Sequence, residues 1–209
     1  MKNSYGMPNI AMVRRMGRGR VLLLLAAAAA LIAAIVVVLG RPAAPADGDP
    51  QGGVVQTRWG PLSYTDRVLL VKVRQAGLWE MPAGQQAQQR AASPRVKEVG
   101  DTIMEQHMQL DADTRATAAK LNVILPNQPS VQQKTWLAEM SNKIGADYDK
   151  TFVLRLRAAH GKVFSVIAQV RASSQNSLIR AFAERALRFV NTHMTLLEST
   201  GLVTDSALS

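Results

Sequence analysis

The chain carries three histidines, His107, His160 and His193. Each falls where helical spacing asks for an apolar residue, and each belongs to a different long segment. Imidazoles at such positions hydrogen-bond inside a core, transfer protons near neutral pH, or ligate a transition metal. A further long segment contributes Glu80, set in the stretch "GLWEMPAG" at residues 77 to 84. Gly77, Pro82 and Gly84 weaken a helix there, each glycine by about 1 kcal/mol and the proline by about 3 kcal/mol relative to alanine. Such a stretch is either a loop or a device that aims Glu80 inward. We read it as the device, because Glu80 shares a face with Leu69, Val73, Ala76, Ala83 and Ala87. Pro82 removes the hydrogen bond to the Leu78 carbonyl and bends the helix, while Gly77 and Gly84 let a neighbour come close. An ionised carboxylate buried alone costs several kcal/mol, so an inward Glu80 needs a histidine, a metal or a water beside it.

The elements that must position these groups are helical. Ser63 and Asp66 have capping-box spacing and open a segment that runs to about Arg90. Ser93 as N-cap and Pro94 at the first helical position open a second, with the stripe Val96, Val99, Ile103, His107, Leu110, Thr114, Ala118 and Leu121. "LPNQP" at 125 to 129 ends it, and Ser130 with Gln133 starts a short third helix containing Trp136, Leu137 and Met140. A fourth runs from about Ala146 to Arg171, with Val153, Leu156, His160, Val163, Ile167 and Val170 on one face. The last follows "SSQN" and shows Ile179, Phe182, Ala186, Phe189, His193 and Leu196, with Gly201 as its C-terminal cap. Strand patterning is absent. Four long amphipathic helices with tight turns predict an all-α, up-down four-helix bundle over residues 63 to 200, with a short crossover helix and a tail at 201 to 209.

Counting back from the turns at a rise of 1.5 Å per residue puts Glu80, His107, His160 and His193 at depths of about 16, 21, 20 and 27 Å. Three agree within a helical turn and the fourth sits about one turn lower. The four can therefore form a polar layer that fixes helix register, a transition-metal site for copper, zinc or iron, or an acid/base or small-ligand site. Met104, Met108 and Met194 lie near two of the histidines, where thioethers suit Cu(I). Asp149 stands near a helix start, where an acid complements the dipole.

The chain's ends give its address. Val21 to Leu39 contain only Val, Leu, Ala and Ile, about the length that crosses a hydrocarbon core. Arg14, Arg15, Arg18 and Arg20 precede it with no acid among them, which puts the N-terminus in the cytoplasm. The expected layout is a basic cytoplasmic N-terminus at 1 to 20, a signal-anchor transmembrane helix at 21 to 40, a flexible stalk rich in Pro, Gly and Ala at 41 to 62, and the bundle outside a bacterial plasma membrane. Ala44 and Ala46 offer a small-x-small cleavage pattern, so secretion after signal-peptide removal is the alternative. The formal net charge is +10, and Lys2, Arg14, Arg15, Arg18, Arg20 and Arg41 supply six positives before the first acid, Asp47. The remaining basic balance suits anionic lipid or envelope polymers. Few aromatics and no recognisable module argue against nucleic acid. With no cysteine, disulfides, thiolate metal sites and a lipidated cysteine are excluded.

Taken in order, Glu80, "QHM" at 106 to 108, "LP" at 125 to 126, "GADYDKTFV" at 145 to 153, "AAH" at 158 to 160 and "THM" at 192 to 194 resemble the bacterial family called domain of unknown function 4142. The resemblance spans about residues 63 to 200 and implies a ferritin-like helical bundle, often exported. The family's Gly-x-x-Glu-x-x-x-Gly pattern corresponds to Gly77, Glu80 and Gly84. Its Asp-His pair corresponds to Gln106 and His107, and its Phe-Asp-x-x-Tyr start to Tyr148, Asp149 and Phe152. Single histidines correspond to His160 and His193. Gln106 thus stands in place of an acid and Phe152 in place of a phenol. A di-iron centre is excluded, because it needs Glu-x-x-His pairs and no glutamate here precedes a histidine by three. The resulting expectation is a membrane-anchored, non-enzymatic binding or envelope stress-related module. Metal sequestration through Glu80, His107, His160 and His193 is the alternative, and an acid/base enzyme with Glu80 as base is a third reading.

Overall fold

The computed structural model describes residues 52–208. The expected cytoplasmic segment, transmembrane helix, cleavage pattern and first part of the stalk lie outside the described residues. Among those described, no helix is long and apolar enough to cross a membrane.

Five helices make up most of the described chain. Helix α1 spans Tyr64–Arg90, α2 Pro94–Leu121, α3 Val131–Ser141, α4 Gly145–Ser173 and α5 Ser177–Glu198. Their starts follow the expected cap chemistry. Ser63 Oγ accepts from the Asp66 amide while Asp66 Oδ2 accepts from the Ser63 amide at 2.8 Å, and Ser130 with Gln133 repeats the same reciprocal pair. Asn176 caps α5 by accepting from the Leu178 and Ile179 amides. These bonds satisfy amides that no intrahelical carbonyl can reach. Helix α1 continues through Pro82, so the opening stretch is helix and not loop.

Helix α1 packs on α2 and α4, α5 packs on α4 and α2, and α3 lies over α1 and α4. Ala91, just past α1, bridges to Gly145 at the start of α4. Arg95, at the start of α2, reaches Ser199 just past α5 at 2.7 Å. The ends of α1 and α5 therefore share one pole with the starts of α2 and α4. The order of directions is up-down-down-up, which corrects the simple up-down alternation. The segment 122–144, carrying α3, returns the chain from one pole to the other, and that long crossover is what reverses the direction of α4.

A second correction concerns the stalk. Val55–Thr57 (β1) and Gly60–Leu62 (β2) form an antiparallel hairpin, so residues 55 to 62 are built structure. The hairpin is stitched to the α4–α5 turn: Ser177 N–H donates to the Trp59 carbonyl at 2.8 Å, and Asn176 Nδ2 donates to Thr57 Oγ1 and the Gly60 carbonyl. Gly60 has φ 102, and a Cβ there would lie 2.6 Å from the Gln175 carbonyl oxygen, so only glycine fits this junction. Two three-residue strands are too short to show alternation, and tertiary docking sets their register.

The interior divides into two apolar clusters. One contains Leu69, Val73, Leu110, Ile167 and Val190, the other Trp79, Ile103, Phe152, Leu156 and Leu197. The boundary between the clusters falls at a histidine on α2, α4 and α5 and, on α1, in the turn that holds Trp79 and Glu80.

Candidate metal centre

Those boundary residues are Glu80, His107, His160 and His193. They are 3%, 2%, 1% and 0% exposed, so the layer is shut off from solvent. One ligand atom from each lies within 4.8 Å of the others. The helix directions explain why. Glu80 lies 16 residues after Tyr64, His193 16 after Ser177, His107 14 before Leu121 and His160 13 before Ser173. Measured from one common pole, all four stand at about 20 to 24 Å. Measured from the pole where α4 turns into α5, Glu80 comes level with His193, and no member of the layer is displaced by a turn.

Close approach of α1 and α2 completes the layer. A Cβ on Gly84 would overlap the Gly100 carbonyl, and a Cβ on Gly100 would lie 2.8 Å from that of Ala87. Only glycine lets the two backbones meet there, and one turn along α1 the Glu80 carboxylate then reaches across to α2. Gly77 has no such role: its added Cβ would find its nearest neighbours at 3.7 and 3.8 Å.

The hydrogen bonds fix which ring atoms face the centre. His160 Nδ1 lies 2.8 Å from the Leu156 carbonyl, so it carries the proton and donates. His193 Nε2 lies 3.0 Å from Gln106 Oε1 and donates in the same way. Burial lowers the pKa of His160, the nearby Glu80 carboxylate notwithstanding, and burial with the two other imidazoles lowers that of His193. Both rings are neutral at pH 7. With the Gln106 amide in this orientation, their inner atoms, His160 Nε2 and His193 Nδ1, both present lone pairs and lie 2.9 Å apart. Glu80 Oε2 stands 3.3 Å from His160 Nε2 and 2.9 Å from His107 Nε2. Neither Glu80 Oε2 nor either nitrogen of His107 has hydrogen-bond geometry to any partner. Burial works against the Glu80 charge, but His160 and His107 together outweigh it, and its pKa falls below the ordinary 4.5. The layer thus gathers a carboxylate oxygen and one ring nitrogen from each of three imidazoles within reach of a single ion.

Buried acceptors facing one another are costly unless a cation joins them. Three imidazoles and a carboxylate suit zinc, iron, copper(II) or manganese, and an outer N–H held by a carbonyl oxygen is the usual support of a metal-bound histidine. A bound ion of charge two would turn a site of net charge −1 into one of +1. The methionines do not join it: Met108 is 52% exposed and Met194 packs against the Leu110 cluster.

The four residues singled out by their polar side chains on apolar stripes do converge, and Gln106, which the spacing did not single out, places its carbonyl oxygen against His193. Phe152 stacks on Tyr148 at 5.9 Å, and the Tyr148 hydroxyl donates to the Ala83 carbonyl. Neither aromatic belongs to the site. Asp149 does not cap its own helix. Its two oxygens accept from the Ala92 and Ser93 amides at 3.1 and 2.9 Å, locking the α1–α2 turn.

Residues 55–199 match the family model described as "Domain of unknown function (DUF4142)". Comparisons with curated proteins and with solved structures give no match.

Proposed function

This chain belongs to the DUF4142 family, whose description assigns no activity, and from the geometry of its buried layer we propose that it is a transition-metal-binding helical bundle of ferritin-like type. The observation that carries the reading is the convergence of one ligand atom from each of Glu80, His107, His160 and His193, all buried, to within 4.8 Å of one another. Glu80, His107, His160 and His193 would hold one divalent ion, and Gln106 and the Leu156 carbonyl would orient two of the imidazoles. Sequestration fits better than catalysis, because the protein supplies four ligands from its buried interior, and such a centre can still expand to take a fifth. The sequence supports placing the bundle outside the plasma membrane, tethered by the Val21–Leu39 run, with a basic surface near anionic lipid and envelope polymers. A reporter fused after Ser209 tests that topology by being active outside the cytoplasm alone.

The metal reading is tested on the purified chain by elemental analysis and by melting with added zinc, copper, iron or manganese. Metal at 1,000 times its Kd contributes about 4 kcal/mol, which raises the melting temperature by about 10 °C for a domain of this size. A chain that takes up none of these metals and melts unchanged refutes the reading.

The second reading is a structural polar layer. Turning the Gln106 amide over would place its NH2 toward His193 Nε2, leaving His193 Nδ1–H to donate to His160 Nε2 across the observed 2.9 Å. That arrangement needs no ion, and the metal titration separates the two.

A further inference from the structure

A cavity of about 250 Å³ lies between α1, α3 and α4, and Glu80 is the one member of the buried layer that lines it. We propose that this cavity is the passage by which a small anion of the size of azide reaches the metal held by the layer. The proposal rests on the metal reading and names the class of ligand that site would take.

Two features of the wall favour an anion. Lys72 from α1 and Lys162 from α4 line the cavity, and Glu80 is the sole carboxylate among its lining residues. Both lysines are exposed. The first turn of α3, from Ser130 through Gln133, forms another part of the wall, and a helix N-terminus adds positive potential. Ala76 lies one turn before Glu80 on the same face and also lines the cavity, so a longer side chain there would fill the space beside Glu80. Trp79 and Trp136, with ring centroids 5.2 Å apart, make a wall with no charge.

The charge of the layer decides when the anion binds. Without a metal the carboxylate faces the cavity and repels anions. With a divalent ion the centre carries +1, and the two lysines add to its attraction. Anion binding is therefore conditional on metal occupancy. The volume, equal to that of about eight liquid waters, admits a triatomic ion and excludes a polymer chain.

The test uses the full chain loaded with Co(II), titrated with azide and followed by the ligand-field absorption of the metal. The expected result is a saturable spectral change in the loaded protein and no azide binding to the metal-free protein. The double variant Lys72→Gln, Lys162→Gln keeps its metal content while azide binds about 3- to 10-fold more weakly, as two solvent-screened charges allow. Ala76→Leu keeps the metal and blocks the spectral change. A loaded protein whose spectrum ignores azide, or azide binding that neither the lysine variant nor Ala76→Leu weakens, overturns this proposal alone. A chain that takes up no Co(II) overturns the metal reading and this proposal with it.

Discussion

Replacing Gly84 by alanine tests whether helix contact or helix propensity governs the opening stretch. Alanine is the better helix former by about 1 kcal/mol, so propensity alone predicts a more stable protein. The structure predicts the opposite. The new Cβ would overlap the Gly100 carbonyl oxygen and approach the Met104 Cβ to 2.9 Å. Ordinary carbon contacts lie at about 3.5 to 4.0 Å, so the backbones of α1 and α2 must part by up to about 1 Å. Overpacking of this kind costs about 1 to 3 kcal/mol, and backbone atoms that cannot rotate away put the cost near the upper end. Subtracting the propensity gain leaves a net loss of about 2 kcal/mol, or about 5 °C in melting temperature for a domain of this size. Gly77→Ala is the matched control. Its Cβ would meet neighbours at 3.7 and 3.8 Å, which is ordinary contact, so it gains the propensity and melts about 3 °C higher. Differential scanning fluorimetry on the two variants settles the matter. If Gly84→Ala melts at or above the parent, or both variants shift in the same direction, the close-approach argument is wrong.

Gln106→Leu removes the acceptor that orients His193 and should weaken metal binding by about 10- to 100-fold in a calorimetric titration; unchanged affinity would show that Gln106 does not support the site. Asp149→Ala leaves the Ala92 and Ser93 amides without acceptors and should cost about 2 kcal/mol in urea unfolding, whereas a loss under about 0.5 kcal/mol would mean water replaces the carboxylate. Acid should destabilise the metal-free protein in two stages. The folded pKa values of His160 and His193 lie below the ordinary 6.5, so the unfolded chain takes up those protons first and stability is lost as pH falls below about 6.5. Glu80, lowered from 4.5, adds a further loss below about that pH in the same sense. Melting curves from pH 7.5 to 4 check this, and a His160→Leu, His193→Leu variant should show a shallower first stage.

Cap chemistry and apolar spacing made most of the scaffold legible. Ser63, Ser93 and Ser130 mark helix starts through local bonds that depend on residues only three apart, so sequence alone contains them. The stripe from Val96 to Leu121 is buried at every position named from its spacing. Helix direction was not legible in the same way. Nothing local in 122–144 says that the segment traverses the bundle, since that depends on α3 docking over α1 and α4. The hairpin escaped for the same reason, its register being set by Asn176 more than a hundred residues away. Glu80 and the histidines stood out because a polar residue on an apolar stripe is a contradiction that only a partner resolves. Gln106 did not, because an amide on a helix is ordinary until the ring it faces is known. Asp149 was read by its nearest helix end, while its partners sit 56 and 57 residues away.

The hairpin's stitching to the α4–α5 turn has a mechanical meaning. Tension applied through residues ahead of Val55 would meet the Arg67 bonds to the Gly52 and Gly53 carbonyls, and through the hairpin the bonds from Asn176 and Ser177. Load entering at the N-terminal side is thereby shared with the opposite half of the chain, at the pole away from the turn that Asp149 locks. A pull from that side would strain the hairpin and its junction ahead of the dry layer at mid-height, which would keep its spacing until they let go.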